Sequence, residues 1–197
     1  GTGLTNISHT YQLAGEYDVV INDDFVGINM KESTATTKNL IKIRQWGNMR
    51  WEKLDNSFYD CSYLQRSNCQ DIPVLNSIID VSVGLEEMFF NAGTNSATGF
   101  FAINRIEDWD IFNVGGAGGL NISGMFKNST FNGYPIGIWN VGNVEDMSQT
   151  FEGATEFNMS LSGWDTRTLK FIGSMFKDAT SFNNTVDNFD VNSGGIS

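Results

Sequence analysis

Apolar positions along the chain fall into a frame that repeats every 25 residues. Trp139 aligns with Trp164, and Phe189 stands a further 25 on. Phe151 aligns with Phe176, Ala154 with Ala179 and Phe157 with Phe182. Further back, Trp46 is followed at the same offsets by Phe58, Cys61 and Leu64. An aliphatic precedes each anchor by three residues: Ile43, Ile106, Ile136, Leu161 and Val186. Ile111, Val141, Thr166 and Val191 follow by two. At five and eight come Trp51 and Leu54, Val144 and Met147, Leu169 and Ile172. Such a frame implies units that cannot bury a face alone and that stack to do so.

Each unit carries two patterns. Around the anchor, apolar and polar residues alternate, as in Leu161-Ser162-Gly163-Trp164-Asp165-Thr166, which predicts a strand. After it the apolar spacing is three to four, as in Val144, Met147, Phe151 and Ala154, which predicts a short amphipathic helix. Asn143 and Thr168 stand where that helix needs an N-cap. Two units are stretched. Trp109 reaches Phe126 through the Gly115-Gly116-Ala117-Gly118-Gly119 insertion. The unit of Ile72-Pro73-Val74 and Met88-Phe89-Phe90-Asn91-Ala92 has no tryptophan, and insertions precede Leu85 and run from Gly93 to Gly99.

Residues 1–39 do not fit the frame. Tyr17, Val19 and Ile21 alternate, Asn22-Asp23-Asp24 breaks the run, and Phe25-Val26-Gly27-Ile28 resumes it, so a β-hairpin capping the first unit is expected. At the other end, Ser193-Gly194-Gly195-Ile196-Ser197 does not read as a cap, and Gly1-Thr2-Gly3-Leu4-Thr5 is not a signal peptide. A segment of a longer stack with an open C-terminal end is the expectation.

Composition narrows the function. Twelve Lys+Arg against 23 Asp+Glu give a net charge of −11, which argues against a nucleic-acid partner. No run of eighteen apolar residues occurs, so no membrane insertion by this segment is expected. The single histidine, His9, argues against most metal sites and catalytic triads, so no metal and no cofactor is expected. The 22 asparagines and 21 glycines suit a chain that turns often.

Candidate sites follow from the frame. Asp110, Asn140, Asp165 and Asp190 each follow an anchor directly, on the solvent side of the alternation. With Glu107, Asp108 and Asp187 they form an acidic strip, read either as a solvated surface of turn-forming residues or as a ligand or cation face. No calcium-loop motif accompanies it. Asn132, Asn158 and Asn183 recur after the phenylalanine of their units and read as an inward structural ladder. Asn6 and Asn128 head the glycosylation sequons better placed for a glycan in a eukaryotic source, whereas in a bacterial one a Ser- and Asn-rich chain generates such sequons by chance. Cys61 occupies a small core position, and Cys69 lies eight residues on, within reach of a disulfide that would suit an oxidising compartment. Glu86-Glu87 and Glu107-Asp108 are paired carboxylates, but neighbours in sequence point different ways, and no enzyme activity is expected.

The stretch Trp139-Asn140-Val141-Gly142-Asn143-Val144-Glu145-Asp146-Met147-Ser148-Gln149-Thr150-Phe151-Glu152-Gly153-Ala154 resembles the BspA-like leucine-rich repeat of bacterial surface proteins, also seen in mycoplasma-type lipoproteins of unknown function. Ile43-Arg44-Gln45-Trp46-Gly47-Asn48 and Ser57-Phe58-Tyr59-Asp60-Cys61-Ser62 look like that family's opening unit. The resemblance covers roughly residues 9–192 and is specific to architecture, not to a ligand. The expected fold is therefore an α/β solenoid of leucine-rich-repeat type, each coil a strand plus a short helix. Residues 1–39 are the β hairpin cap, and 40–197 are five coils and a partial sixth. The resemblance implies an extracellular or cell-surface adhesion module that binds a protein or surface glycan. The alternative is a filament or array subunit that binds itself head-to-tail through open ends.

Overall fold

The computed structural model describes residues 12–21, 27–31, 39–48, 51–75, 84–114 and 118–190. Asn6, His9, the Asn22–Asp24 break of the expected hairpin with Phe25 and Val26 after it, Gly115–Ala117, Val191 and the 193–197 tail lie outside them. The 25-residue frame appears as rows lying side by side, but the rows are not built as expected. Among the described residues there is no α-helix. The regular elements are a 3-10 turn, Ile106–Asp108, and two short parallel strands, β1 (Leu120–Asn121) and β2 (Val144–Asp146). The strand-plus-helix coil is therefore wrong, and the α/β solenoid of leucine-rich-repeat type falls with it.

The stretches read as helices are runs of linked turns. In the row Leu85–Ala92, the amides of Met88, Phe90 and Ala92 donate to carbonyls three residues back, at 3.3, 3.1 and 3.1 Å. The amides between them leave the row. Leu85, Glu87, Phe89 and Asn91 donate to Asn121, Ser123, Met125 and Lys127 of the next row, at 3.4, 3.0, 2.8 and 2.8 Å. The pattern recurs from Gly124, Phe126 and Asn128 to Ser148, Thr150 and Glu152, and from Gln149, Phe151 and Gly153 to Gly173, Met175 and Lys177. An α-helix would turn every interior amide inward. Here every second amide joins rows, so backbone hydrogen bonding and row stacking are one process.

This geometry has a backbone requirement. Positive φ recurs in pairs four residues apart: Asn56 and Asp60, Glu87 and Asn91, Gly124 and Asn128, Gln149 and Gly153, Ser174 and Asp178. Seven of these ten are Asn, Asp or Gly, the types that enter the left-handed region at least cost. Part of the asparagine and glycine content is thus accounted for by these turns.

The core is a pair of aromatic columns. Phe58, Phe89, Phe126, Phe151 and Phe176 stack in order, with ring centroids 5.3, 5.6, 5.6 and 5.7 Å apart. Trp109, Trp139, Trp164 and Phe189 form the second, at 6.5, 6.5 and 6.2 Å. Trp139 Nε1 donates to the Ile106 carbonyl at 2.7 Å and Trp164 Nε1 to the Ile136 carbonyl at 2.8 Å. The aliphatic three before one anchor therefore accepts from the next anchor. Asn143 and Thr168 cap no helix. Asn143 Nδ2 reaches the Ile111, Phe112 and Val114 carbonyls, and Thr168 Oγ1 the Val144 carbonyl.

The first row has residues 27–31 alongside it. Gly27 bridges Lys53, the Met30 amide donates to the Asn56 carbonyl, and Ile28 and Met30 pack on the core. Residues 12–21 are exposed, with Asp18 paired to Arg44 at 2.7 Å. No helix among the described residues is long and apolar enough to cross a membrane.

Candidate functional site

Four extended segments run side by side just ahead of the anchors. The Gln65 amide donates to the Ile41 carbonyl, the Ser67 amide to Ala102, and the Asn132 amide to Phe101, while Phe101 bridges Phe131 in parallel. Alternation decides which side chains leave the core. Ile43, Ser67, Cys69 and Ile103 are buried, and Lys42, Arg66, Asn68 and Gln70 are exposed. With Asn104 and Tyr134, the outward residues line an open groove of about 430 Å³ floored by Ser67.

The groove is locally basic on an acidic chain. Among the described residues, Lys42, Lys53 and Arg66 make no ion pair, and two of these three line the groove. Among the described residues no carboxylate lines it. Arg66 is held in place by its neighbour: its guanidinium lies 5.3 Å from the Tyr134 ring centroid, and Nη2 donates to Tyr134 Oη at 2.9 Å. Such stacking fixes a flexible cation without neutralising it. Asn104 Nδ2 donates to the Cys69 carbonyl and Gln70 Nε2 to the Asn68 carbonyl. Each amide therefore has one N–H engaged, which fixes its orientation and leaves its oxygen as an acceptor beside a second N–H.

The family model described as Mycoplasma protein of unknown function, DUF285, matches residues 83–195. The chain belongs to this DUF285 family. No curated protein and no solved structure matches the chain. The DUF285 stretch holds the regular rows and one wall of the groove, Asn104 and Tyr134. Lys42, Arg66, Ser67, Asn68 and Gln70 precede it.

The acidic strip lies where alternation puts it. Asp108, Asp110, Asn140, Asp165, Asp187 and Asp190 are exposed, and Glu107 is half-buried. Because their anchors stack, Asp110, Asn140, Asp165 and Asp190 form one row on the DUF285 surface. Several side chains are engaged nearby. Asp108 pairs with Arg105, Asp110 accepts from Asn113, and Asn140 accepts from the Gly142 amide. Arg167 closes on Asp165 and holds its carboxyl down to about 2. Among the described residues no group of three His, Cys, Asp or Glu side chains could hold a metal ion.

The remaining candidates are placed individually. Cys61 and Cys69 are both buried free thiols rather than a disulfide. Cys61 Sγ lies 3.4 Å from Met30 Sδ, and Cys69 Sγ donates to the Ile43 carbonyl at 3.1 Å. Burial pushes the Cys61 thiol up to about 12 and raises that of Cys69. Asn128 is exposed at a left-handed turn. The asparagine ladder is present between Asn158 and Asn183, whose amide donates to Asn158 Oδ1 at 2.9 Å, but both residues are exposed rather than inward. Asn132 instead accepts from the Gly133 amide beside it.

The sequence reading missed the groove. Its signal was available in the frame: Lys42 precedes Trp46 by four residues, and Asn104 and Tyr134 precede their anchors by five. Arg66, Asn68 and Gln70 belong to the unit without a tryptophan, so no anchor placed them.

Proposed function

We propose that this chain is a non-catalytic binding module displayed at a cell surface, and that its contact site is the groove of Lys42, Arg66 and Tyr134. One observation carries the reading. Two unpaired cations share a groove without a carboxylate, on a chain of net charge −11, and one of them is held in place by an aromatic ring. Charges left unpaired amid an excess of opposite charge suit an external partner. The rows beneath supply a rigid support, as a contact surface requires. Two buried thiols of raised pKa fit a non-catalytic role. Kinship with BspA-like surface proteins rests on the Trp139–Ala154 motif, and adhesion, to a protein or a surface glycan, is the role it suggests. Saturable binding of the labelled chain to intact cells, competed by unlabelled chain and lost in the Lys42→Ala/Arg66→Ala variant, is the expected result. Absence of saturable binding overturns the reading.

A second reading, self-assembly through row ends, has its own support. In the row Ile172–Ala179 the amides of Ser174, Phe176 and Asp178 occupy the positions that donate across rows elsewhere, and none has a partner among the described residues. This edge offers donors without matching acceptors, so two such edges cannot pair with each other. Only a parallel row presenting carbonyls fits, which would give head-to-tail growth. Residues 27–31 already lie against the opposite end, which favours the binding module. Light scattering at rising concentration separates the readings: a steady monomer removes the filament.

A further inference from the structure

We infer that the groove binds an acidic saccharide, a sugar chain carrying carboxylates and free hydroxyls. The inference rests on the proposed binding role and adds the class of ligand. Three features select this chemistry. Lys42 and Arg66 offer charge to an anion, and among the described residues no carboxylate lines the groove to compete for them. The amide oxygens of Gln70 and Asn104, whose nitrogens are bound to the Asn68 and Cys69 carbonyls, accept hydrogen bonds from hydroxyl donors. Tyr134, half-buried under Arg66, adds an aromatic edge with a hydroxyl at its tip. Anion, acceptor-seeking hydroxyls and a ring-sized apolar face occur together in a uronic acid residue.

Charge density separates this ligand from other anions. Duplex nucleic acid carries a charge per about 1.7 Å of axis, and binding it needs many cations on one face. A uronate chain carries one charge per ring, which two cations can meet. The net charge of −11 opposes any anion at long range, but screening at physiological salt confines that repulsion to about 8 Å. Contacts inside the groove then decide. An acidic peptide would satisfy the cations and offers one backbone N–H per residue, where a saccharide ring offers several hydroxyls that both donate and accept, so pentaglutamate is the competing ligand in the test.

The test uses the 197-residue chain, with calorimetric titration of a panel of uronate tetrasaccharides, their methyl esters and pentaglutamate. At least one uronate is expected to bind with a submillimolar dissociation constant. Its methyl ester, alike in hydroxyls but uncharged, is expected to bind at least about tenfold more weakly, as is the Lys42→Ala/Arg66→Ala variant, since a charge-assisted hydrogen bond contributes about that factor or more. Lys53→Ala removes the unpaired cation outside the groove and leaves binding unchanged. Near-UV circular dichroism establishes that the variants are folded. Tyr134→Leu supplies an independent disruption, with loss of binding expected. The inference is overturned if no uronate binds, if the methyl esters bind equally, if pentaglutamate binds as tightly, or if the groove variants bind like the parent. Failure here, with cell binding that still depends on Lys42 and Arg66, removes the saccharide and leaves the surface-binding role. Loss of both removes the role itself.

Discussion

Residues 118–190 and residues 39–114 follow one frame with different discipline. In the first region the rows are spaced by 24 or 25 residues, and Phe126, Phe151 and Phe176 stack with planes within 10°. Each tryptophan there, Trp139 and Trp164, has its Nε1 bonded to the row before. In the second region insertions lengthen the rows and one anchor is missing. Trp46 and Trp109 meet edge-on, 5.1 Å apart at 90°, and the Nε1 of each is buried without a partner. Yet the phenylalanine column runs unbroken through both regions. Insertions are thus absorbed on the tryptophan side, and the turn ladder keeps its register. Irregularity has a use there. The groove opens mainly across the rows ahead of Trp46 and Trp109, and Tyr134 of the regular region completes its wall.

The largest effect should come where both columns are continuous. Trp164→Ala removes a ring stacked between Trp139 and Phe189, with 2% of its surface exposed, and should cost about 3–5 kcal/mol by urea denaturation. Its exposed neighbour Asp165, paired only at the surface, should shift the urea midpoint far less as Asp165→Ala. Equal costs would mean that the facing of the rows is reversed.

A sharper test of the comparison uses Trp→Phe. Trp139→Phe removes one of two hydrogen bonds to the Ile106 carbonyl, which keeps the Trp109 amide as a donor at 3.2 Å. Trp109→Phe loses a nitrogen that has no partner. Both lose similar ring area, so Trp139→Phe should be the more destabilising by about 0.5–1.5 kcal/mol, the net contribution of one hydrogen bond. Indistinguishable melting curves would show that the two regions do not differ at their anchors.

Part of this was legible in the sequence, and the reason for the rest is specific. The frame, the anchors and their burial follow from spacing alone, because a repeated unit must bury the same positions each time. The element type does not. Leu85, Met88, Phe89 and Ala92 are buried at i, i+3, i+4 and i+7, which is the stripe of an amphipathic helix. Linked turns with a four-residue period produce the same stripe over so short a stretch. What differs is the residue at the left-handed positions, and Asn56, Asp60, Asn91, Gly124, Asn128, Gly153 and Asp178 carried that information. Helix interiors disfavour Gly, Asn and Asp, so their recurrence four apart beside the apolar stripe was the overlooked signal. The groove was hidden differently: its residues come from four rows, and three insertions lie between the rows that meet there.

The left-handed positions offer the next test. Gly153 has φ 66°, and an added Cβ would lie 2.2 Å from Asn128 Oδ1. Gly99, in the irregular region, has φ 79° and open space around it. Gly99→Ala should cost about 1–2 kcal/mol, from backbone strain alone. Gly153→Ala adds a clash in the ladder and should cost more, in thermal or urea unfolding. Equal losses would show that the Asn128 side chain yields freely and that ladder register is looser than the contacts imply.

The smallest effects concern pH, and the two regions should respond with opposite sign. Glu152 in the regular rows lies between Lys127 and Lys177, at 3.0 and 3.1 Å, and hydrogen bonds from these lysines lower its pKa. A depressed carboxyl contributes stability above its unfolded value, about 4.3, and loses it as pH falls through the folded value. Asp55 and Glu86 in the irregular rows behave differently. Burial raises both, the Asp55 charge adds to the rise at Glu86, and the Glu86 amide bonded to Asp55 Oδ1 only partly offsets it. A raised carboxyl works against the fold while ionised, and protonation relieves it as pH falls through the folded value. At pH 7, Glu152→Gln should therefore destabilise by under about 1 kcal/mol, with the deficit shrinking toward pH 3. Glu86→Gln should be neutral or slightly stabilising at pH 7, with its advantage fading over the same range. Urea midpoints for parent and variants at pH 7 and pH 3 read both signs in one experiment. A shared direction would mean that charge is managed alike in the two regions, and that only packing distinguishes them.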